Sequence, residues 1–196
     1  MKILAFVDLH GDKEIFEKIK EKAKQVDLIL CAGDLTFFEN ELDYFLNELN
    51  KMGKKVLIIP GNHESEENLT ELTKNLENVF QIHKGMFVRD EYLILGYGGG
   101  GFSMTDSGFY KVGEAFKDKI KDEHKVIFMI HGPPYGTQLD IINGEHVGNR
   151  TTRAFINETK PAIVIFGHLH EYGGKEENIG ETKLINPGPE GRIIDI

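Results

Sequence analysis

Residues 56–64 limit the possible folds of this chain more than any other segment. An apolar run ends there at Pro60 and Gly61, and the amide, imidazole and carboxylate side chains of residues 62–64 follow directly. Such a segment is typical of a buried strand that delivers polar groups to a loop. Taken alone, the three polar residues could equally cap a helix predicted over residues 65–76. The same pattern occurs four more times along the chain, and this repetition favours a functional role.

The first third of the sequence alternates between strand and helix patterns. Buried strands are predicted at residues 2–7, 27–32 and 54–59, and amphipathic helices at residues 13–25 and 38–52. Crossovers of this length favour parallel pairing, and the carboxyl ends of parallel strands form the ligand crevice of such sheets. The polar residues expected at this edge are Asp8, His10, Asp34, Asn62 and His63.

The rest of the chain predicts shorter strands around two more helices. We expect a meander at residues 79–97, buried strands at 125–130 and 161–166, and closing antiparallel strands at 172–175, 181–185 and 192–196. Helices are predicted at residues 108–121 and 149–158. The glycine-rich residues 96–102 have no helix directly behind them, as a phosphate-cradling loop requires, so we expect a flexible loop, a lid or a wall. Without a repeat or linker, residues 1–196 are expected to form a single domain.

Five of the eight histidines directly follow an apolar strand, namely His10, His63, His131, His168 and His170. A lone histidine is more often structural, but five at one sheet edge are hard to explain by packing, because burying titratable rings costs desolvation. Together with Asp8, Asp34 and Asn62 they supply nitrogen and oxygen ligands for two metal ions. This donor set suits Mn, Fe, Zn, Co or Ni rather than Mg or Ca alone.

Charge and composition limit the classes of partner and the cellular compartment that we expect for this protein. The formal net charge of −9 argues against an extended nucleic-acid partner, although it does not exclude one local basic patch. The single cysteine, Cys31, cannot form an intramolecular disulfide and is expected to be buried, which favours a reducing compartment. The apolar run at residues 3–7 is too short for a signal peptide or a membrane span. We therefore expect a cytoplasmic protein with no membrane partner.

The order of these polar groups resembles that of the calcineurin-like metallophosphoesterases. The resemblance spans residues 3–188 and rests on Asp8 and His10, on Gly33-Asp34, on Gly61-Asn62-His63-Glu64, on His131, and on Gly167-His168-Leu169-His170. It implies a four-layer α/β/β/α sandwich of two mixed β-sheets flanked by helices. It also implies a division of the metal ligands: Asp8, His10 and His170 on one ion, Asn62, His131 and His168 on the other, and Asp34 between them.

The resemblance implies phosphoester hydrolysis. Two ions roughly 3.5 to 4 Å apart hold a bridging water, lower its pKa and clamp the phosphate oxygens. His63 would stay uncoordinated, contact the phosphate and assist the leaving group. A compact chain without room for a cap domain favours a phosphodiesterase that acts on small or nucleotide-like substrates. A phosphomonoesterase, a nuclease and a catalytically silent protein-binding scaffold are the alternatives; the acidic charge weakens the nuclease, and the presence of His63 weakens the scaffold.

Several other polar residues receive secondary roles. Glu64 is expected to cap the following helix rather than to bind metal. His146, Asn149 and Arg150 lie on a loop and helix start that could face either the phosphate or solvent. We expect no catalytic role for His83 and His124.

Overall fold

A computed structural model describes residues 1–196 of the chain, and it contains thirteen strands and five α-helices. The strands are β1 (Lys2–Phe6), β2 (Leu28–Cys31), β3 (Lys55–Ile58), β4 (Val79–Gln81), β5 (Gly85–Arg89), β6 (Tyr92–Tyr97), β7 (Lys125–Ile130), β8 (Ile141–Ile142), β9 (Glu145–His146), β10 (Ile163–Ile165), β11 (Glu176–Ile179), β12 (Thr182–Ile185) and β13 (Arg192–Asp195). The helices are α1 (Lys13–Ala23), α2 (Leu42–Lys51), α3 (Glu66–Thr73), α4 (Ser107–Lys117) and α5 (Arg150–Thr159). No helix is both long and apolar enough to cross a bilayer.

The strands form two mixed sheets and a small ribbon. The first sheet has the order β13-β1-β2-β3-β4, in which only β13 runs antiparallel to its neighbour. The second has the order β11-β12-β10-β7-β6-β5, with four parallel strands in the middle and an antiparallel strand at each edge. The ribbon pairs β8 with β9. The predicted parallel pairing of the first three strands is confirmed.

Side chains on opposite faces of the strands belong to different apolar clusters, of which there are three. On β1, Leu4 and Phe6 pack with helices α1 to α3, whereas Ile3 and Ala5 face the second sheet. The outer face of the second sheet packs against α4 and α5, for example through Phe155. Because side chains along a strand alternate between faces, every central strand contributes to two clusters. The four-layer α/β/β/α sandwich is thus confirmed, and Cys31 is buried within it.

One predicted helix start and one predicted helix cap are wrong. Helix α2 begins at Leu42 rather than at residue 38, because Phe38, Glu39 and Glu41 have φ values of 50°, 62° and 58°. Left-handed residues cannot continue a right-handed helix. Helix α3 is capped by the Ser65 side chain, which accepts a hydrogen bond from the Asn68 backbone, so Glu64 is not its cap.

The tail also differs from its predicted arrangement. The segment predicted as a strand at 172–175 contains the end of a short 3₁₀ turn, His170–Tyr172, followed by two glycines, of which Gly174 has a φ of 81°. Strand β11 lies just after the predicted segment and pairs antiparallel with β12, and β13 pairs antiparallel with β1, as expected for the closing strands at 181–185 and 192–196. Strand β12, in contrast, also pairs in parallel with β10, inside the second sheet. Short alternating runs do not reveal such a neighbour, because periodicity reports the faces of a strand and not its partners.

Candidate metal centre

The carboxyl ends of five strands bring all eight predicted site residues together. Three of these strands, β1, β2 and β3, are adjacent in the first sheet, and β7 and β10 are adjacent in the second. The eight residues are connected by short contacts between their side chains and backbones: Asp8, His10, Asp34, Asn62, His63, His131, His168 and His170. The site therefore lies at the strand edge that the sequence predicts.

One side of the site is formed by Asp8, His10 and His170. One potential ligand atom from each lies within 4.8 Å of the others, and Nε2 of His10 is 3.0 Å from Nε2 of His170. Asp8 accepts a hydrogen bond from the His168 backbone N–H through Oδ2, at 2.8 Å. These three side chains could hold one metal ion.

The other side is formed by Asn62, His131 and His168. Oδ1 of Asn62 lies 3.0 Å from Nε2 of His131 and 2.9 Å from Nδ1 of His168. The second ring nitrogen of His131 lies 3.0 Å from the carbonyl oxygen of Ala32, to which it can donate. That hydrogen bond directs Nε2 toward the site, as is usual for metal-binding histidines.

Asp34 joins the two sides. Its Oδ1 accepts a hydrogen bond from the His63 backbone N–H at 3.0 Å, and its Oδ2 lies 3.3 Å from Nε2 of His131 and 3.9 Å from Nε2 of His10. The same oxygen is 4.0 Å from Nε2 of His63. Asp34 is therefore the carboxylate whose oxygen lies within 4 Å of imidazoles from both sides, and it could contact ions on both.

One buried oxygen of the site suits a bound cation. Oδ1 of Asp8 is buried and has no hydrogen-bond partner in the protein. A buried polar atom without a partner costs free energy, which metal coordination would offset. A carboxylate oxygen together with imidazole nitrogens suits divalent transition metals. The residues therefore fit a metal ion.

Four of the site residues have left-handed backbones, although none is glycine. Asp8, His10, Asp34 and His168 have φ values of 55°, 50°, 50° and 72°. Hydrogen bonds between loops hold two of these turns, from the Asp8 N–H to the Gly33 carbonyl at 3.1 Å and from the His10 N–H to the Asp34 carbonyl at 3.0 Å. Such conformations cost free energy and persist at functional sites, where the surrounding structure enforces them.

Two glycines permit the close approach of the loops. A Cβ on Gly61 would lie 2.0 Å from Oδ1 of Asp34, and a Cβ on Gly167 would lie 2.7 Å from Oδ2 of Asp8. Any side chain at either position would displace a carboxylate. The glycines in Gly61-Asn62 and Gly167-His168 are therefore part of the site.

Burial and charge set the protonation of the site. Burial raises the pKa of Asp8 to about 6. Burial also lowers the pKa of His168 to about 4 and lowers that of His10, so both rings are neutral at pH 7 and their lone pairs are available to a metal. Burial opposes the charged forms of Asp34 and His131, but their mutual attraction outweighs it, lowering the pKa of Asp34 and raising that of His131.

Glu64 has a role in the structure that differs from the predicted helix cap. This carboxylate is buried and accepts backbone N–H groups from Asp34, Gly61 and Thr36 at 2.9, 2.9 and 3.0 Å. Burial raises its pKa to about 7. Glu64 thus ties the loop after β2 to the loop after β3. Its place in the Gly61-Asn62-His63-Glu64 motif is the only signal for this role, since the backbone partners are distant in sequence.

Glu64→Gln is expected to weaken metal binding by about 10- to 100-fold, the usual effect of losing an outer-shell partner. The amide Nε2 of glutamine would face a backbone N–H from which Glu64 accepts a hydrogen bond. Because two donors would then face each other, we expect the free energy of unfolding to fall by about 1 to 3 kcal/mol. Metal titration and thermal unfolding measure the two effects. Glu71→Gln on the exposed face of α3 is the control. If the two variants had the same metal affinity and the same thermal stability, Glu64 would not connect the two loops.

Aromatic side chains border the site, and one of them, Phe38, lies within the helix predicted over residues 38–52. Phe37 and Phe38 are 53% and 71% exposed and contact the ring of His63. Phe102 is 63% exposed, and its ring lies 4.6 Å from that of His168. Phe38 lies four residues before Leu42, at helical spacing, so the helix pattern continues through residue 38 and does not indicate an exposed loop.

The remaining candidates contact other parts of the loops. His146 pairs with Asp140, Asn149 caps α5, and the guanidinium of Arg150 lies over the ring of Tyr135. His83 accepts a hydrogen bond from the backbone N–H of Gly98 at 2.7 Å. The Gly99 N–H in turn donates to the carbonyl of Pro60 at 2.7 Å, so the glycine-rich loop forms a wall beside the loop of Asn62.

Comparisons with known proteins agree with this geometry. A family model described as calcineurin-like phosphoesterase matches residues 1–172. The chain is 28% identical over 185 residues to UPF0046 protein K07C11.7 of Caenorhabditis elegans, and the match covers 82% of this chain but only 61% of that protein. The protein TT1561 of Thermus thermophilus superposes with a TM-score of 0.77 at 20% identity, over 96% of this chain and 89% of that chain. A novel archaeal phosphodiesterase superposes with a TM-score of 0.55 at 19% identity, over 96% and 84%.

Proposed function

The chain belongs to the calcineurin-like phosphoesterase family, and from this premise we propose that it is a phosphoester hydrolase with two divalent metal ions that acts on small or nucleotide-like phosphodiesters. The observation that carries the proposal is a pair of ligand clusters, Asp8 with His10 and His170, and Asp34 with His131 and His168. A third cluster, His10 with Asp34 and His63, shares one residue with each of them. Asn62 completes the second cluster through the contacts of its amide oxygen. That residues 1–196 act as one catalytic domain stays a prediction.

The two ions, when bound, would supply positive charge for the phosphate oxygens and make a shared water acidic enough to attack at neutral pH. Asp8, His10 and His170 would hold one ion, and Asn62, His131 and His168 the other. Asp34 would contact both and set their separation. Manganese, nickel, iron, cobalt and zinc all accept this donor set.

His63 is our proposed acid at the leaving group. Its Nε2 lies 4.0 Å from Oδ2 of Asp34, and its ring is packed between His10 and the two phenylalanines. At this distance the imidazole can reach a phosphate held beside Asp34. When the bond from phosphorus to the leaving oxygen breaks, protonated His63 would donate its proton to that oxygen, which otherwise carries the developing negative charge.

Exposed aromatic rings on both sides of the site support diesters over monoesters. The exposed Phe37 and Phe38 lie beside His10 and His63, and the exposed Phe102 lies beside His168, the proposed ligand of the other ion. A diester carries an organic substituent on each side of phosphorus, and each substituent could lie against one of these apolar surfaces. The archaeal phosphodiesterase named above shares the fold, which agrees with this choice without deciding it.

We expect metal-stripped protein to be inactive and to regain activity with Mn, Ni, Co, Fe or Zn, with bis(p-nitrophenyl) phosphate preferred over p-nitrophenyl phosphate. Release of p-nitrophenolate and metal analysis of the same samples measure both parts. Protein that binds two ions and hydrolyses neither ester would instead support a scaffold. A preference for the monoester would overturn the diester assignment and leave metal-dependent hydrolysis intact.

A further inference from the structure

Two neighbouring aromatic rings are exposed directly beside the proposed acid. The ring of Phe37 stacks on that of His63, with centroids 4.5 Å apart and an angle of 26° between the planes. The ring of Phe38 meets the same imidazole edge-on, at 4.4 Å. Phe37 also contacts His10, with the ring centroids 5.4 Å apart. The pair thus lies at the rim of the site rather than on a remote surface.

The loop that carries these rings adopts a costly backbone. Phe38 has a φ of 50°, which is rare for a bulky side chain, and Glu39 and Glu41 are left-handed as well. The carboxylate of Glu39 accepts hydrogen bonds from the backbone N–H and the hydroxyl of Ser65, at 2.7 and 2.9 Å. Glu41 pairs with Lys13 at 2.8 Å. These contacts hold the loop in a conformation that it would not adopt alone.

Packing around His63 does not account for both rings. Phe37 already stacks on one face of the imidazole, with 26° between the ring planes. Phe38 remains 71% exposed, although its left-handed backbone costs free energy. An exposed apolar side chain that is held at a cost beside reacting groups points to a ligand that covers it.

The rings of Phe37 and Phe38 are perpendicular to each other, at 89° with centroids 4.9 Å apart. We propose that they form a stacking platform in which a planar aromatic group of the substrate stacks on one ring and meets the other edge-on, so that the phosphodiester carries a nucleobase or a similar ring on the side served by His63. The inference rests on the proposed function, because the role of His63 at the leaving oxygen places the organic part of the leaving group against these rings. Stacking on phenylalanine accepts any base, since every base has a π-face. The platform selects for an aromatic group rather than for one particular base.

Two small phosphate esters test the platform by calorimetry with manganese-loaded protein. Adenosine 5′-monophosphate and ribose 5-phosphate share the sugar and the phosphate and differ in the base. We expect the first to bind about tenfold more tightly or better, as one stacked base provides. In Phe37→Leu and Phe38→Leu the ratio of the two dissociation constants should fall toward one. The dissociation constant of ribose 5-phosphate should stay within about twofold of the wild-type value.

Two further variants separate stacking from folding. Phe80→Leu, on strand β4, removes a ring that makes none of the aromatic contacts at the site, and it should keep the wild-type ratio. Phe38→Gly should lose the discrimination without a lower melting temperature, because glycine adopts a φ of 50° freely.

The outcomes for the platform and for hydrolysis are distinct. No binding of adenosine 5′-monophosphate, equal binding of the two esters by the wild type, or a ratio unchanged in the Phe37 and Phe38 variants would overturn the platform. None of these results would affect the metal-dependent assay with p-nitrophenyl esters. Discrimination without any hydrolysis would support the platform and reject the proposed hydrolase.

Discussion

Asp34→Ala is expected to reduce phosphoester hydrolysis by at least about 10³-fold and to abolish the binding of two metal ions together. Its carboxylate lies 3.3 Å from His131 and 3.9 Å from His10, which belong to opposite sides of the site. Without it, no carboxylate connects the two ligand clusters. The buried His131 also loses the charge that raises its pKa.

The loss of metal binding in Asp34→Ala can be measured independently of turnover. The metal content of the protein and its thermal unfolding with and without manganese provide the two measurements. A bound metal raises the melting temperature of the folded protein by mass action, so the increase should disappear in the variant. Asp43→Ala, at an exposed position of α2, is the matched control and should behave as the wild type. An Asp34→Ala protein that retains two ions and full turnover would exclude the bridging role.

His63→Ala is expected to lower turnover by about 10² to 10⁴, the usual contribution of a general acid, while the metal content stays unchanged. The reason is that the side chain of His63 is not needed to hold the two ligand clusters together, whereas its ring stands at the rim, against Phe37 and Phe38. The loss should be largest for esters whose leaving alcohol is a poor leaving group. It should be smallest for p-nitrophenyl esters, whose leaving oxygen needs little protonation.

A series of phosphodiesters with leaving groups of different pKa measures this dependence. His124→Ala removes a histidine in a turn outside the site and serves as the control. A uniform loss across the series would argue against the acid role, and unchanged turnover on every ester would remove His63 from the mechanism. Loss of metal would instead make His63 a ligand, a role that its position near His10 and Asp34 permits.

The negative charge of the protein gives the metal ions a further role. The chain carries a formal net charge of −9, and its site contains Asp8 and Asp34, so the metal-free protein repels a phosphate anion. Two divalent cations reverse the sign of the local charge at the point where phosphate binds. Substrate affinity should therefore depend on metal loading as strongly as turnover does.

Local sequence pattern predicted most of the fold. Strand β7 occurs at its predicted bounds, because a continuous apolar run between polar turns is a signal within a few residues. The same pattern placed Asp8, Asp34 and His131 at strand ends. The start of α2 was wrong, since helical periodicity cannot show that Phe38 is left-handed.

By itself, the sequence determined which groups stand at the ends of the strands and therefore the composition of the site. Tertiary structure alone decided which groups meet. The contact between His10 and His170 joins residues 160 positions apart, and the three backbone groups bound by Glu64 come from two loops. Periodicity depends on the burial of single side chains, whereas these contacts depend on strand order and on turns forced into left-handed conformations by the packing around them. The exposure of Phe37 and Phe38 beside His63 belongs to this second class, and so does the substrate preference that we infer from it.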